Sequence, residues 1–327
     1  MSPQSAAAAP LLSICIPAYN RPIWLKRALL SILTTASQQQ PNIEIVVSDD
    51  STIPDCKHAV DELITDWQGP YRYYQNIPSL GMAGNWNHCI QVASGDYILI
   101  LHDDDYLEVG APNKILQTLQ ENPNASALLF GVNVVTPQQR VRKRQTAKEL
   151  QYFTPEAALE QVLTDSSFIR FPGIVLRRKI FQTVGYFDET VGGIADIQTW
   201  VSICQEYGLL RIPITTANYT VHSGALTMKM FNLDVIRSLE KIFNEEKIQD
   251  LLSKQTLERC KANYFSQFIL AGTVRYLREL NFREAREVFN LFDHIELDYK
   301  QLSLKWRTVK TILSYVLLFS NPLKLNT

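Results

Sequence analysis

Short apolar segments alternate with helical segments through the first 135 residues, and this alternation constrains the fold more than any other feature of the sequence. The apolar segments predict five strands, at residues 11–17, 43–47, 71–75, 97–101 and 125–135. Helical periodicity predicts four helices between them, at residues 22–35, 55–67, 83–93 and 112–120. Strands that alternate with helices form a mostly parallel sheet covered on both faces. The sequence therefore predicts an α/β fold, whose ligands bind beyond the carboxyl ends of the strands.

The pattern changes near residue 228. Residues 154–227 mix helices and strands, whereas from residue 228 glycine and proline almost vanish and apolar positions recur with a period of 3.6 to the end. We therefore predict a disordered lead-in at residues 1–10, an α/β domain at residues 11–227 and a helical carboxyl-terminal region at residues 228–327.

Composition excludes several classes of protein. Hydrophobic residues make up 46% of the 327 residues and the net charge is -1, which excludes a disordered chain. A near-neutral charge also argues against a dedicated nucleic-acid binder. The five cysteines form no CxxC pair, which favours reduced thiols in a cytosolic compartment. We expect no signal peptide, because residues 1–10 have neither a basic n-region nor a long apolar h-region, and no membrane-spanning helix, because no apolar run reaches about 18 residues.

Three predicted strands end in polar clusters, which should lie at the same edge of a parallel sheet. The clusters are Pro17-Ala18-Tyr19-Asn20-Arg21, Ser48-Asp49-Asp50-Ser51 and His102-Asp103-Asp104-Asp105. Acidic groups that lie side by side repel unless a cation or hydrogen-bond donors compensate them. Carboxylates suit Mg²⁺ or Mn²⁺, ions that usually also hold substrate phosphates. Turn formation and helix capping are the structural alternatives for these aspartates.

The same segments resemble the family-two glycosyltransferases of GT-A fold. The resemblance rests on SICIPAYNR (13–21), EIVVSDDS (44–51) and GDYI (95–98) followed by the aspartates 103–105, and then on GYFDE (185–189), ADIQTW (195–200) and YTVHSGALT (219–227). It implies a GT-A, Rossmann-like sheet flanked by helices, with an α-helical carboxyl-terminal appendage. It also implies transfer of a sugar, with inversion, from a nucleoside diphosphate sugar, with uridine diphosphate expected, to a hydroxyl of a saccharide or glycolipid.

The resemblance assigns roles to nine residues. It implies Asp196 as the general base, Asp104 and His222 at a divalent metal (Mg or Mn), and a donor pocket formed by Pro17, Tyr19, Arg21, Asp49, Asn85 and Asp103. The chain departs from the family pattern at three positions. His102 stands for the first aspartate of the D-x-D motif, which leaves open whether His102 or Asp103 takes its role, and Ala195 and Thr220 replace a glutamate and an arginine.

The last residues suggest a membrane partner. After Asp298 there is no acidic residue, and Lys305, Arg307 and Lys310 precede an apolar run at residues 312–319. Basic residues beside an apolar helix suit an anionic membrane surface, so we expect a cytoplasmic protein with peripheral membrane contact at the inner face through residues 300–327. A terminal helix that docks on the core is the alternative.

Two other functions remain open, and a third is disfavoured. A catalytically silent sugar-nucleotide-binding relative would fit the changes at His102, Ala195 and Thr220, and a metal-dependent phosphohydrolase could use the same aspartates. A dinucleotide-dependent oxidoreductase is disfavoured, because no GxGxxG follows the first strand.

Overall fold

A computed structural model describes residues 9–34, 40–222, 224 and 230–319. Within them, ten strands form one sheet. The strands are β1 (Leu12–Ala18), β2 (Ile43–Asp49), β3 (Tyr71–Gln75), β4 (Tyr97–Ile100), β5 (Tyr106–Leu107), β6 (Ala127–Val135), β7 (Val141–Gln145), β8 (Gln151–Phe153), β9 (Ile174–Arg177) and β10 (Leu209–Thr220).

Twelve α-helices accompany the sheet in the described part of the chain. They are α1 (Pro22–Leu33), α2 (Asp55–Leu63), α3 (Gly81–Val92), α4 (Ala111–Glu121), α5 (Pro155–Thr164), α6 (Phe181–Val184), α7 (Ala195–Tyr207), α8 (Leu233–Phe243), α9 (Glu246–Leu251), α10 (Lys254–Arg278), α11 (Phe282–Phe289) and α12 (Leu304–Phe319).

The order of the strands is β3-β2-β1-β4-β9-β6-β10-β5, with β7 paired to β6 and β8 to β10. Strands β3, β2, β1 and β4 are parallel, while β9 is antiparallel to both β4 and β6. The predicted fold class is confirmed, with a sheet that is parallel in its first half and mixed beyond β4. The strand predicted at residues 125–135 lies beside β9 and β10, so it does not extend the parallel half directly.

The sheet has a hydrophobic core on each face. Every residue of β1 and of β2 is buried, as expected for parallel strands covered on both sides. One core packs α1, α2 and α4 against the sheet. The other joins α3, α5 and α7 to the carboxyl-terminal helices, so that Trp86, Trp200 and Phe265 belong to one cluster.

The helical carboxyl-terminal region is confirmed as helical, and it shares this second core. The predicted boundary near residue 228 falls at residues 225–229, which lie outside the described residues, as do residues 1–8 of the predicted lead-in. The domain limits therefore stay a prediction. All five cysteines are buried and none is in a disulfide. In the described part of the chain, no helix combines the length and hydropathy needed to cross a bilayer.

The parallel half of the sheet brings the polar clusters together. Strands β1, β2 and β4 are neighbours, and the last residue of β1, Ala18, pairs with the last residue of β2, Asp49. The loops after these three strands therefore start at the same sheet edge.

Candidate active site

A cavity of about 840 Å³ opens beyond the carboxyl ends of β1, β2 and β4. Seven of the nine residues predicted for the site line it: Pro17, Tyr19, Arg21, Asn85, Asp103, Asp104 and Asp196. The opposite wall comes from the carboxyl-terminal helices and the residues just before them, through Phe231, Tyr264, Gln267, Phe268, Arg275 and Trp306. Segments that are distant in the sequence thus enclose one space.

Asp49 lies behind the cavity wall. Its side chain is fully buried, and its two carboxylate oxygens accept hydrogen bonds from the Ser51 amide (2.9 Å) and the Tyr73 hydroxyl (2.5 Å). The neighbouring Asp50 is the residue that lines the cavity. Asp50 also accepts hydrogen bonds from the amides of Leu80 (3.0 Å) and Gly81 (2.8 Å), so it holds the start of α3 in place.

The loop after β1 is fixed by side-chain contacts to the other two strand ends. Asn20 adopts a φ of 54°, a left-handed conformation that asparagine tolerates, and its side-chain oxygen accepts a hydrogen bond from the Thr52 amide (3.0 Å). The Tyr19 amide donates to Asp103 (3.1 Å), and the Tyr19 side chain is half exposed. Asn85 donates to the Ala18 carbonyl (3.3 Å) from α3.

Arg21 and His222 contact Asp103 and Asp104. Arg21 Nη1 lies 2.7 Å from Asp104 and 3.4 Å from Asp103, and His222 Nε2 lies 2.9 Å from Asp104. Burial raises the pKa of Asp103 to about 7, and the charge of Asp104 adds to the effect. Burial also raises the pKa of Asp104, but the His222 hydrogen bond and the charge of Arg21 outweigh it, so this pKa lies below its ordinary value. The acidic end of the cavity is thus a network of paired charges.

His102, Asp104 and Asp105 form a candidate metal centre, because one ligand atom of each lies within 4.8 Å of the others. The His102 ring packs between Trp86 (5.3 Å) and Phe171 (4.4 Å), and burial lowers its pKa to about 4, which leaves the imidazole neutral. His102 Nε2 and Asp105 Oδ2 are buried and have no hydrogen-bond partner within the described structure. Two carboxylates, a neutral imidazole and two unsatisfied ligand atoms fit a divalent cation.

The geometry separates the two residues that the sequence left as alternatives for the first aspartate of the D-x-D motif. His102 belongs to the candidate metal centre, whereas Asp103 bonds to the loop after β1 through Tyr19 and Arg21. His222 contacts the same network from the end of β10, where its ring packs on Trp24 (4.8 Å).

A guanidinium reaches Thr220, which stands where the family has an arginine. Arg27 of α1 donates to the Thr220 hydroxyl (3.1 Å) and to the Asp104 carbonyl. Its Cζ lies 4.7 Å from the Trp24 ring and 4.6 Å from the Tyr106 ring. A positive charge is therefore held beside this strand end by a residue that the motif does not include.

Asp196 is in the first turn of α7, where its carboxylate faces the cavity and accepts the Ile197 amide (2.8 Å). Burial raises its pKa to about 6, against the opposing effects of backbone hydrogen bonds and the charge of Arg170. Ala195, in place of the family's glutamate, is fully buried. A carboxylate with this pKa is largely ionised at neutral pH and remains basic enough to accept a proton.

Two arginines that line the cavity were not predicted from the sequence. Arg170 precedes β9 and Arg275 is in the last turns of α10. Neither belongs to a polar cluster at a strand end, and Arg275 lies within a regular helical pattern that gives no sign of a cavity.

Solved structures define the class of fold. The complex of residues 1–349 of S. aureus TarS with UDP-GlcNAc aligns with a TM-score of 0.59 and 14% identity, over 93% of this chain and 86% of that one. The mannosyltransferase PcManGT from Pyrobaculum calidifontis, in complex with GDP-Man and Mn²⁺, aligns with a TM-score of 0.56 and 15% identity, over 95% of this chain and 86% of that one. The chain has the GT-A fold of these neighbours.

Sequence comparison gives the family. Residues 13–185 match Glycosyl transferase family 2, and the chain belongs to this family. A Campylobacter jejuni relative, GalNAc(5)-diNAcBac-PP-undecaprenol beta-1,3-glucosyltransferase, is 29% identical over 201 residues, which are 60% of this chain and 60% of that protein. The chain spans about 60 to 66% of the length of three curated relatives that it matches.

Proposed function

We propose that this protein is an inverting glycosyltransferase, which transfers a sugar from a uridine diphosphate sugar to a hydroxyl group of a saccharide or glycolipid. The observation that supports this most strongly is that Asp104, a member of the candidate metal centre, and Asp196, from a separate element, line one cavity. A phosphate-binding centre and a carboxylate base within one cavity are what transfer from a diphosphate leaving group requires.

The donor would lie at the sheet edge. Pro17, Tyr19, Arg21 and Asn85 line this part of the cavity, and the half-exposed Tyr19 ring offers a surface for the base. In this proposal Asp49 acts from behind the wall, by holding Ser51 and Tyr73, while Asp103 fixes the loop that carries Tyr19. The uridine assignment draws on the TarS complex with UDP-GlcNAc, whereas PcManGT holds GDP-Man.

A divalent cation, Mg²⁺ or Mn²⁺, would be held by Asp104 with His102 and Asp105, and His222 would support Asp104. When bound, such an ion neutralises charge on the diphosphate leaving group. Arg21 already shares the two carboxylates Asp103 and Asp104, so it is in place to contact the same phosphates. PcManGT, one of the structural neighbours, holds Mn²⁺ together with its donor.

Asp196 would accept the proton of the attacking hydroxyl. Its raised pKa brings it close to the operating pH, where a general base is most effective. A direct attack assisted by one base, without an enzyme nucleophile, inverts the anomeric carbon. The proposal therefore uses one carboxylate for proton transfer and the paired charges at the sheet edge for the leaving group.

A screen of nucleotide sugars by native mass spectrometry, with and without Mn²⁺, tests the donor. We expect retention of a UDP-sugar that depends on Mn²⁺, and transfer to a saccharide acceptor in the presence of both. Preferential retention of GDP-sugars would refute the uridine assignment. Donor binding without transfer to any acceptor would favour the catalytically silent alternative. Release of free sugar or phosphate in the absence of acceptor, as fast as transfer in its presence, would favour the phosphohydrolase.

We also propose that the protein works at the cytoplasmic face of a membrane, through α12. One face of α12 is buried through Leu313 and Leu317. That face packs on the protein, as the alternative of a docked terminal helix predicts. The other exposes large apolar side chains: Leu304, Ile312, Tyr315, Val316, Leu318 and Phe319. Lys305 and Arg307 are exposed at the start of the same helix, and an apolar face with nearby cations suits an anionic bilayer. Residues 320–327 lie outside the described residues.

Flotation with anionic vesicles tests this part. We expect the full chain to float with phosphatidylglycerol vesicles and the double variant Tyr315→Ser/Phe319→Ser to stay at the bottom of the gradient. Leu280→Ser, which changes an exposed apolar residue outside α12, is the control. Equal flotation of all three proteins would refute a contact through α12.

A further inference from the structure

The cavity has a second cationic region, formed by Arg170 and Arg275. The two arginines are 105 positions apart in the sequence, one next to the sheet and one on α10, and both line the cavity. The Arg170 guanidinium carbon lies 4.6 Å from the Tyr219 ring centre, and that of Arg275 lies 5.4 Å from the Phe231 ring centre. Their planes are therefore held by aromatic rings.

These two charges lack the compensation that Arg21 has. Arg21 forms ion pairs with Asp103 and Asp104, whereas neither Arg170 nor Arg275 forms one with a carboxylate of the described residues. Arg170 Nε is buried and has no hydrogen-bond partner there either. Burial lowers the pKa of Arg275, and the charge of Arg170 lowers it further, so the two guanidinium groups repel each other.

Like charges in a partly desolvated cavity are unfavourable until an anion joins them. Guanidinium groups bind phosphate and carboxylate through paired hydrogen bonds, and Phe231 and Phe268, whose ring centres are 4.9 Å apart, line the same part of the cavity. An anion at this place would therefore be bound in an apolar environment, where its attraction to both cations is stronger than in water.

The position relative to Asp196 indicates which substrate carries this anion. The charge of Arg170 lowers the pKa of Asp196, the proposed base for the acceptor hydroxyl. Arg21 and His222 instead lower the pKa of Asp104, at the donor end. We propose that Arg170 and Arg275 form an anion subsite for the acceptor, so that the acceptor carries a phosphate or carboxylate near its reacting hydroxyl. This inference rests on the proposed function and adds the chemical class of the acceptor.

The donor diphosphate is the competing source of such an anion, and a calorimetric experiment separates the two. The full chain is saturated with UDP and Mg²⁺ and then titrated with phenyl phosphate. We expect phenyl phosphate to bind alongside UDP, with an affinity that falls roughly tenfold in Arg275→Gln and further in Arg170→Gln/Arg275→Gln, since each variant removes a charge-assisted contact. UDP affinity should remain unchanged in both variants.

Two matched variants control the experiment. Arg278→Gln removes an exposed arginine from the same helix and should bind phenyl phosphate like the wild type. Arg275→Lys keeps the charge and should bind more tightly than Arg275→Gln; equal losses in the two would refute the electrostatic argument. Displacement of UDP by phenyl phosphate would assign the site to the donor, and no binding to the UDP complex would refute the subsite. UDP binding itself reports separately on the proposed function.

Discussion

The two walls of the cavity handle charge in different ways. At the sheet edge, Arg21 forms ion pairs with Asp103 and Asp104, His222 contacts Asp104, and hydrogen bonds between the loops fix the side chains. On the wall that includes the carboxyl-terminal helices, Arg170 and Arg275 rest on aromatic rings without a carboxylate partner among the described residues. The comparison suggests that the sheet edge is organised before a ligand arrives, while the second wall is completed by one.

Loss of the proposed base should have the largest effect. Asp196→Asn should reduce transfer by about 10²–10⁴-fold, the usual contribution of a general base, and leave UDP affinity unchanged in calorimetry. Asp250→Asn, at an exposed position on α9, is the matched control. If Asp196→Asn transferred sugar at the wild-type rate, Asp196 would not be the residue that accepts the proton.

The same variant also makes a prediction about stability. The raised pKa of Asp196 means that folding disfavours its ionised form, and this cost grows as the pH rises from about 4 to about 6. Asp196→Asn should therefore raise the melting temperature at pH 8 and have no such effect near pH 4. A uniform shift at both pH values would contradict the pKa.

Removing the Asp104 carboxylate from the sheet edge should weaken binding of the donor nucleotide. Asp104→Ala should weaken Mn²⁺-dependent UDP binding by roughly tenfold or more, because a hard cation loses a carboxylate ligand. Removal of the metal from the wild type with EDTA should have the same effect on UDP binding, and it should add nothing to the variant. Unchanged metal affinity in Asp104→Ala would show that Asp104 is not a metal ligand.

Much of the sheet-edge wall could be predicted from the sequence, and much of the helical wall could not. Strand β3 has the predicted limits, and Asp103 and Asp104 after β4 line the cavity, because a buried strand followed by carboxylates leaves few alternatives. The sequence predicted Asp49 in the donor pocket, but Asp50 lines the cavity, because the strand pattern does not determine which of the two neighbouring side chains turns inward. Arg275 faces the cavity because of how α10 packs, which periodicity alone does not determine.

The pH dependence of transfer should also report on Asp196. With a pKa of about 6, the ionised fraction falls about tenfold per pH unit below that value, so kcat/KM at pH 5 should be roughly a tenth of its plateau. UDP binding measured across the same range provides the comparison. If kcat/KM fell only in parallel with UDP affinity, the pH effect would come from donor binding and not from Asp196.

The smallest effect should come from tightening the helical wall. A Cβ at Gly272 would lie 2.5 Å from the Phe231 ring, which lines the cavity, so Gly272→Ala should cost about 1–3 kcal/mol of stability and leave UDP affinity unchanged. At Gly95 a Cβ would meet the Ser13 backbone nitrogen at 2.7 Å, and because backbone yields less than a side chain, Gly95→Ala should cost more. Denaturant unfolding measures both, and a larger cost at Gly272 would contradict this packing argument.

Helix α12 has Trp306 in the cavity lining and an outward apolar face at Ile312, Tyr315 and Phe319. A helix turns by roughly 100° per residue, so one residue inserted between Trp306 and Ile312 would turn the later positions by that angle relative to Trp306. In the proposed membrane contact, the spacing along α12 would therefore set the angle between Trp306 at the cavity and the lipid surface. An insertion or deletion in this helix would then preserve both the cavity wall and the membrane contact only if it restored this angle.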